Sequence, residues 1–331
     1  MQPIWKDYTT QLAATPVAGF DYTIYYSSGP GSSPRGTIFA GRAFARPGAT
    51  SLGVCINDIV ATVLRRGFEP AGETDVPWVE VEVYDADDYI LDTIEFNADW
   101  SYDPDFNPAT DGMNHPILDT VMPGQLIPVT MPTAGTVRAL ISVATGVEDF
   151  NADFNRDFLI QGLDLADEDI VIASDFATGW FDLRDWPAAT AVTINGKTYR
   201  VGGGCHQFVL YYVNAYGGWD TMVVTAKTDE QDAVTRYTMK TDYNNATAAR
   251  GTHNYINELA HNYTFRTGCM DEAASLKMHH LLNSPHVWLH DVIANRFYPI
   301  VLTNSATEYK NGGRLYQYEF TAQLAQERIR R

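Results

Sequence analysis

The sequence is poor in cysteine. Only three cysteines, Cys55, Cys205 and Cys269, occur among 331 residues, and none of them forms a CxxC pair. A small, odd number without metal-ligand spacing predicts neither a disulfide framework nor a zinc ribbon. The cysteine content is therefore typical of a protein from a reducing compartment.

Basic side chains are also scarce. The chain has 23 Lys and Arg against 41 Asp and Glu, a formal net charge of -18. Such a surface repels phosphates and anionic lipids, so we expect neither a specific nucleic acid nor a membrane as partner. Three arginines close the chain (Arg328, Arg330 and Arg331), and we interpret this short run as a solvated tail.

Long hydrophobic runs are missing as well. No stretch of 18 apolar residues occurs, and the first residues show no basic segment followed by an apolar one. We therefore expect neither a membrane-spanning helix nor a secretory signal. Hydrophobic residues at 45% and charged residues at 19% are nevertheless typical of a folded protein, and the length favours two domains.

Alternating apolar and polar residues predict a chain made mainly of β-strands. Residues 78–83 and 89–96 are expected to pair, and Asn195-Gly196 predicts a tight β-hairpin because both turn positions need positive φ. The remaining predicted strands span residues 125–129, 136–143, 207–214, 221–226, 234–240, 255–265, 286–292 and 316–324.

Two helices interrupt this pattern. The first is predicted from Asn57, a good N-cap, to Arg66, where Gly67 follows. The second is predicted over residues 271–282, with Asp271 at its start and Pro285 beyond its end.

Together these elements predict a mainly β fold class with two β-sandwich-like domains, each carrying one short flanking helix. The first domain would span residues 1–180 and include an acidic, loop-rich stretch at 97–175. The second would span residues 181–331 and contain the helix near 271–282.

Oxygen-bearing side chains recur at alternate positions in one segment, as they do in a calcium loop. The five positions are Asp149, Asn151, Asp153, Asn155 and Asp157. However, Phe154 stands where the loop needs glycine, and Ile160 stands where it needs a bidentate glutamate. We interpret the segment as an acidic edge strand, and calcium binding by Asp149–Asp157 stays open.

The histidines cluster late in the sequence, at His279, His280, His286 and His290. On the predicted strand, His286 and His290 share a face but lie about 13 Å apart at roughly 3.3 Å per residue. That separation is too large for one zinc ion, so we interpret these histidines as packing residues.

Nucleophilic and phosphate-binding motifs are not recognisable. Cys205 and His206 are neighbours at a strand start, so their side chains point to opposite faces. Gly202-Gly203-Gly204 is followed by neither Lys-Ser/Thr nor a helix, so it predicts a bend. We assign no catalytic, cofactor-binding or metal-binding residue, and we expect the protein not to be an enzyme.

Three segments carry a family resemblance: Ile38–Pro47 with Ile56–Ile59, Tyr211–Asp220, and Ser284–Leu289 with Pro299–Val301. In this order they resemble structural proteins from the virion modules of tailed bacteriophages that infect gut Bacteroidetes. The resemblance implies a ring-forming component of the tail or head-to-tail neck, with copies of itself and other tail or neck proteins as partners. It implies location in the virion after assembly in the bacterial cytoplasm, and no cofactor.

In these segments we interpret Gly41 and Gly217-Gly218 as bends and Trp219 as a core or interface anchor. The element order of the second domain, a strand, a helix and three strands, is similar to that of tail-tube and distal-tail proteins. This is an analogy of fold alone.

Two other functions remain as alternatives. A glycan-binding or adhesin module is suggested by the 12% aromatic residues and the calcium-like segment. A glycoside hydrolase would use paired carboxylates, which an acidic chain supplies in abundance.

Overall fold

A computed structural model describes residues 2–3, 9–12, 19–27, 35–44, 52–55, 66–73, 78–84, 88–99, 120–144, 163–175, 177–202, 208–224, 226–240, 252–310, 315–325 and 328–330. The chain separates into two compact units. Unit 1 consists of Met1–Met113 with Ala215–Gly218, and unit 2 consists of Asn114–Asn214 with Trp219–Arg331.

Unit 1 is built from strands. They are β1 (Gln2–Pro3), β2 (Thr9–Leu12), β3 (Gly19–Ser27), β4 (Gly36–Phe44), β5 (Leu52–Cys55), β6 (Trp78–Tyr84) and β7 (Ile90–Asp99), with a 3-10 turn at Glu69–Ala71. One sheet has the order β1-β7-β6-β3-β4, and β2 pairs with β5 separately. The predicted pairing of residues 78–83 with 89–96 is confirmed as β6 and β7, which run antiparallel.

Gly41 lies within β4, opposite Tyr22 on β3, and is not at a bend. A Cβ atom at this position would come within 2.5 Å of the Phe39 ring and 3.0 Å of the Tyr22 hydroxyl. Glycine is therefore needed to make room for these two aromatic side chains, which corrects the interpretation of Gly41 as a bend. Gly217, in contrast, has a φ of +81° between two strands, as a bend requires.

Unit 2 contains the remaining elements. They are β8 (Thr120–Val121), β9 (Leu126–Thr130), β10 (Gly135–Ala144), β11 (Leu163–Ile172), β12 (Thr178–Asp182), a 3-10 turn at Leu183–Asp185, β13 (Ala189–Ile194), β14 (Lys197–Val201), β15 (Phe208–Val213), β16 (Trp219–Val223), β17 (Asp229–Lys240), β18 (Thr252–Arg266), α1 (Glu272–Asn283), β19 (Val287–Asp291), β20 (Arg296–Lys310), β21 (Leu315–Leu324) and β22 (Arg328–Arg330).

These strands of unit 2 form three sheets within the described residues. An eight-stranded sheet has the order β16-β15-β19-β20-β21-β18-β17, with β22 paired to β18. A five-stranded sheet has the order β11-β10-β13-β14-β8, and β12 pairs with β9. The chain is mostly β-strand, so the predicted mainly β fold class is confirmed.

The compact units divide after Met113, whereas the sequence places its boundary at residue 180. Strands on both sides of residue 180 belong to one sheet, because β10 pairs antiparallel with β13. The acidic stretch before residue 175 also contains β11, which pairs with β10 over its full length. In the described part of this stretch, the acidic residues of β11 therefore lie on an edge strand of a sheet.

The Asn195-Gly196 hairpin is confirmed. It joins β13 to β14, and φ is +48° at Asn195 and +76° at Gly196. Both turn residues are left-handed, as a two-residue hairpin turn with the twist of its strands requires.

Helix α1 confirms the second predicted helix. The carboxylate of Asp271 accepts a hydrogen bond of 2.8 Å from the amide of Ala274, which caps the first turn. The helix buries Met278 and Leu281 in the main core of unit 2. The first predicted helix, at residues 57–66, falls almost wholly outside the described residues. In the described part of the chain, no helix is long and apolar enough to span a membrane.

Strand β15 is buried on both faces. Phe208, Leu210 and Tyr212 point into the core that α1 covers. On the opposite face, the Tyr211 hydroxyl accepts a hydrogen bond from the Leu126 amide (3.1 Å) and donates one to its carbonyl (3.0 Å). This side chain therefore ties β9 to the eight-stranded sheet.

Two further buried hydrogen bonds reinforce that junction. The side-chain amide of Gln125 donates to the Thr221 hydroxyl at 3.0 Å, and the backbone amide of Trp219 donates to the Thr130 hydroxyl at 3.1 Å. Because Trp219 is fully buried, it is a core residue of unit 2. Buried polar groups that are satisfied in this way specify one arrangement of the layers.

We predict that Leu281→Ala lowers the free energy of unfolding by about 2–5 kcal/mol, because it leaves a cavity beneath α1. Leu165→Ala is the matched control in the same unit, since that side chain is 79% exposed, and it should change stability by less than about 0.5 kcal/mol. Urea unfolding followed by circular dichroism measures both. Equal effects would contradict the assignment of Leu281 to the core.

We also predict that Tyr211→Phe costs about 1–3 kcal/mol, because the buried amide and carbonyl of Leu126 each lose a partner. Tyr298→Phe is the control, since no hydrogen bond of its hydroxyl occurs within the described residues. The same urea titrations report the difference. A neutral Tyr211→Phe would show that this hydroxyl does not hold β9 in place.

Candidate assembly surface

Several positions singled out from the sequence fall outside the described residues. They are Asp149–Asp157 with its calcium-like spacing, and Cys205 with His206. Among the residues that the structure describes, no three His, Cys, Asp or Glu side chains converge in a way that could hold a metal ion.

His290 is a core residue. Its ring lies 4.1 Å from that of Phe297 in a stacked arrangement, and its Nε2 lies 3.4 Å from the Asn295 side-chain oxygen. Burial lowers the pKa of His290 below its ordinary value. The predicted strand that carries it is confirmed as β19, and a neutral, buried imidazole is suited to packing.

A pair of buried carboxylates in unit 1 was not singled out from the sequence. Glu80 and Glu82 lie on one face of β6, and the Arg35 guanidinium contacts Glu80 at 2.5 Å and Glu82 at 3.3 Å. Tyr84 donates a hydrogen bond to Glu82, and its hydroxyl also lies 3.4 Å from that of Tyr25.

The electrostatics of this pair do not suit a general acid. Burial alone would raise the pKa of Glu82, but the hydrogen bond from Tyr84 and the charge of Arg35 outweigh it and hold the pKa below its ordinary value. A glycosidase acid needs the opposite shift, so that it still carries a proton near neutral pH. We therefore interpret the cluster as a stabilising ion pair.

Strand β17 is a long exposed element of unit 2. It is twelve residues long, ten of them exposed, and it forms the end of the eight-stranded sheet. Strand β18 pairs with one side of β17 from Asp229 to Lys240, and no described strand pairs with the other side. An open edge of this length is a template for another strand.

The geometry of β17 favours pairing. The irregularity in its ladder with β18 adds a residue to β18, because Tyr237 pairs with Ile256 and Thr238 with Asn254. Strand β17 itself is regular and contains no proline. It lacks the bulge and proline with which natural proteins commonly block a sheet edge.

The base of β17 is anchored by ion pairs. Arg266 on β18 contacts Asp229 on β17 at 2.5 Å and Glu319 on β21 at 2.7 Å, so it joins three adjacent strands. Hydrogen bonds from Lys227 and Arg266 hold the pKa of Asp229 below its ordinary value.

Aromatic side chains anchor the opposite face. Tyr263 and Phe265 on β18 stack at 5.7 Å, and His261 lies 4.8 Å from Tyr263. Burial, followed by the charge of Glu230, raises the pKa of Tyr263 to about 12. The His261 ring contacts both Glu230 and Asp232 of β17. These contacts hold the first residues of β17, Asp229 to Asp232, against β18.

The other end of the eight-stranded sheet differs. The edge strand β16 lies against β9, through the bonds from Gln125 to Thr221 and from Trp219 to Thr130. Strand β17 is thus the more accessible of the two edges. The outward N–H and C=O groups of its main chain can form hydrogen bonds with the backbone of another strand.

The sequence predicts only the second half of β17, residues 234–240. Its first half, Asp229 to Asp232, is entirely polar, so the alternation of apolar and polar residues that predicts a strand is missing there. Only the sheet order reveals that the strand lies at an edge.

In comparisons with known proteins, no family model matches this chain and no curated protein matches its sequence.

We predict that unit 1 loses stability as the pH falls below about 4.3, the ordinary pKa of a glutamate. The folded pKa of Glu82 is lowered, so its contribution is present above that value and is lost as the carboxylate is protonated. Glu82→Gln should weaken this pH dependence, whereas Glu73→Gln, at an exposed position, should not. Thermal unfolding between pH 7 and 3 measures the effect, and identical slopes for the wild type and Glu82→Gln would refute it.

Proposed function

We propose that this protein is a virion structural protein of a tailed bacteriophage, a ring-forming component of the tail or of the head-to-tail neck. Its partners would be copies of itself and other tail or neck proteins, and it would be assembled in the bacterial cytoplasm. The observation that carries the proposal is the pair of opposed hairpins, β17–β18 and β20–β21, at the eight-stranded sheet, and the open edge of β17 adds a further contact surface.

An open sheet edge suits assembly for a physical reason. A strand added to an edge gains main-chain hydrogen bonds along its whole length, and its side chains then select the partner. The gain is largest when the edge is already ordered, since little conformational entropy is lost on binding. The contacts of Arg266 and the stacked rings of Tyr263 and Phe265 supply that order.

Two hairpins extend from the eight-stranded sheet in opposite directions. Strand β18 pairs with β21 only between Asn262–Arg266 and Glu319–Gln323. The β17–β18 hairpin continues beyond one end of this overlap to Lys240, and the β20–β21 hairpin continues beyond the other end to Lys310. A subunit in a ring contacts two neighbours through different surfaces, and two opposed hairpins are suited to that need.

The resemblance of Ile38–Pro47, Tyr211–Asp220 and Ser284–Leu289 to phage virion proteins agrees with this proposal. In unit 2, Tyr211–Val213 and Val287–Leu289 form the adjacent core strands β15 and β19. These residues would then preserve the scaffold that holds the edge, while the edge itself adapts to its neighbours.

We predict that the purified chain forms discrete oligomers with rotational symmetry. Light scattering coupled to size-exclusion chromatography gives the mass, and negative-stain electron microscopy gives the shape. A protein that stays monomeric over a wide range of concentration and shows no rings would contradict the proposal. Binding of the monomer to immobilised glycans would instead favour the adhesin alternative.

A further inference from the structure

We propose that β17 pairs antiparallel with β17 of a second copy of this chain, about a two-fold axis that passes through Val234. The inference deepens the proposed function, because it names one of the surfaces through which the subunits would meet.

The side chains on one face of β17 carry the argument. In order along this face they are Glu230, Asp232, Val234, Arg236, Thr238 and Lys240, and all six are exposed. Two acidic residues precede the central valine, and two basic residues follow it. If a second copy of this strand runs in the opposite direction, its basic end lies beside the acidic end of the first copy.

Antiparallel pairing centred on Val234 satisfies these charges. Because positions at equal distance from the centre face each other, Asp232 lies opposite Arg236 of the second copy, and the two-fold axis repeats this pair. Glu230 lies opposite Thr238, with Arg236 and Lys240 of the second copy as its diagonal neighbours. Opposite charges that face each other across strands stabilise a sheet.

Parallel pairing in register is disfavoured by the same residues. It would set Glu230, Asp232 and Arg236 each opposite its own copy, and like charges in facing positions destabilise a sheet. The charges on β17 therefore do more than keep the edge soluble: they select one orientation of one partner.

The central position suits an axis. Val234 is 42% exposed and would face Val234 of the second copy, so apolar area is buried between the two ionic pairs. Arg236 is exposed, and within the described residues no ion pair involves it. Asp232 already contacts His261 and keeps a second carboxylate oxygen for Arg236 of the second copy.

This contact is the same on both copies, so it closes at two subunits. Ring growth needs another, different surface, and the two-fold contact would then join two rings face to face. Assembly into rings and pairing through β17 can thus succeed or fail separately.

Charge reversal tests the ionic pairs. Arg236→Asp should raise the dissociation constant of the two-fold contact at least about tenfold, because each Asp232 then faces an aspartate. The double variant Asp232→Arg with Arg236→Asp should restore association, since it exchanges the partners of each pair. Arg200→Asp, on the inner strand β14 of another sheet, changes the net charge equally and should have no effect. Sedimentation velocity measures all four proteins.

Cross-linking tests the register. In a Cys269→Ser background, Val234→Cys should give a disulfide-linked dimer under oxidised glutathione, because facing residues lie about 4.5–5.5 Å apart between Cα atoms. Thr238→Cys should not, since the two copies of residue 238 would lie roughly 26 Å apart at about 3.3 Å per residue. The background chain reports any link through Cys55 or Cys205.

The outcomes separate the two proposals. Rings that form without the Val234 cross-link and without an effect of Arg236→Asp would overturn the β17 pairing and leave the ring proposal standing. A cross-linked dimer that never forms rings would support the pairing and contradict the ring. Cross-links at both Val234→Cys and Thr238→Cys would indicate parallel pairing and refute the inference.

Discussion

Unit 2 depends on a strand that is buried on both faces. β15 directs Phe208, Leu210 and Tyr212 into the core beneath α1, and it directs Tyr211 to the backbone of β9 on the other side. A central strand of this kind cannot slip by one residue, because every side chain would exchange faces. The pairing of β16 and β19 with β15 is fixed with it, and the rest of the eight-stranded sheet follows in order.

The open edge is a consequence of the same sheet. The apolar core extends outward along β18 through Phe265 and Tyr263, and beyond these residues the hairpin carries mainly polar side chains on β17. Hydrophobic burial therefore holds the base of β17, while hydrogen bonds and charges determine what its edge can bind. This division separates the residues needed for folding from those available for recognition.

Much of this fold is predictable from local chemistry. The Asn195-Gly196 hairpin, the Asp271 cap of α1 and the alternation in β21 each combine a backbone preference with a clear pattern of burial. Three strands are predicted after the helix, but the middle one, which is β20, has no predicted bounds. Pro299 lies opposite Trp288 in the ladder with β19, and its carbonyl accepts a hydrogen bond of 2.9 Å from the Ala325 amide after the end of β21.

Other features depend on contacts that are distant in sequence. Strand β11 was missed because its outward positions include Asp167 and Asp169, and aspartates are typical of loops. In the structure, Arg138 on the paired strand β10 contacts Asp167, and this contact is not visible in the local sequence. Likewise, the charges of β17 have a meaning only once the sheet order puts that strand at the edge.

Hydrogen exchange of the β17 amides, measured as a function of protein concentration, tests most directly whether this edge is a surface through which two copies meet. If β17 pairs with a second copy, its outward-pointing amides gain protection as the protein associates, while β18, already paired on both sides near its base, is unchanged. Exchange at β17 that stays equally fast in the monomer and in the assembled protein would contradict the account.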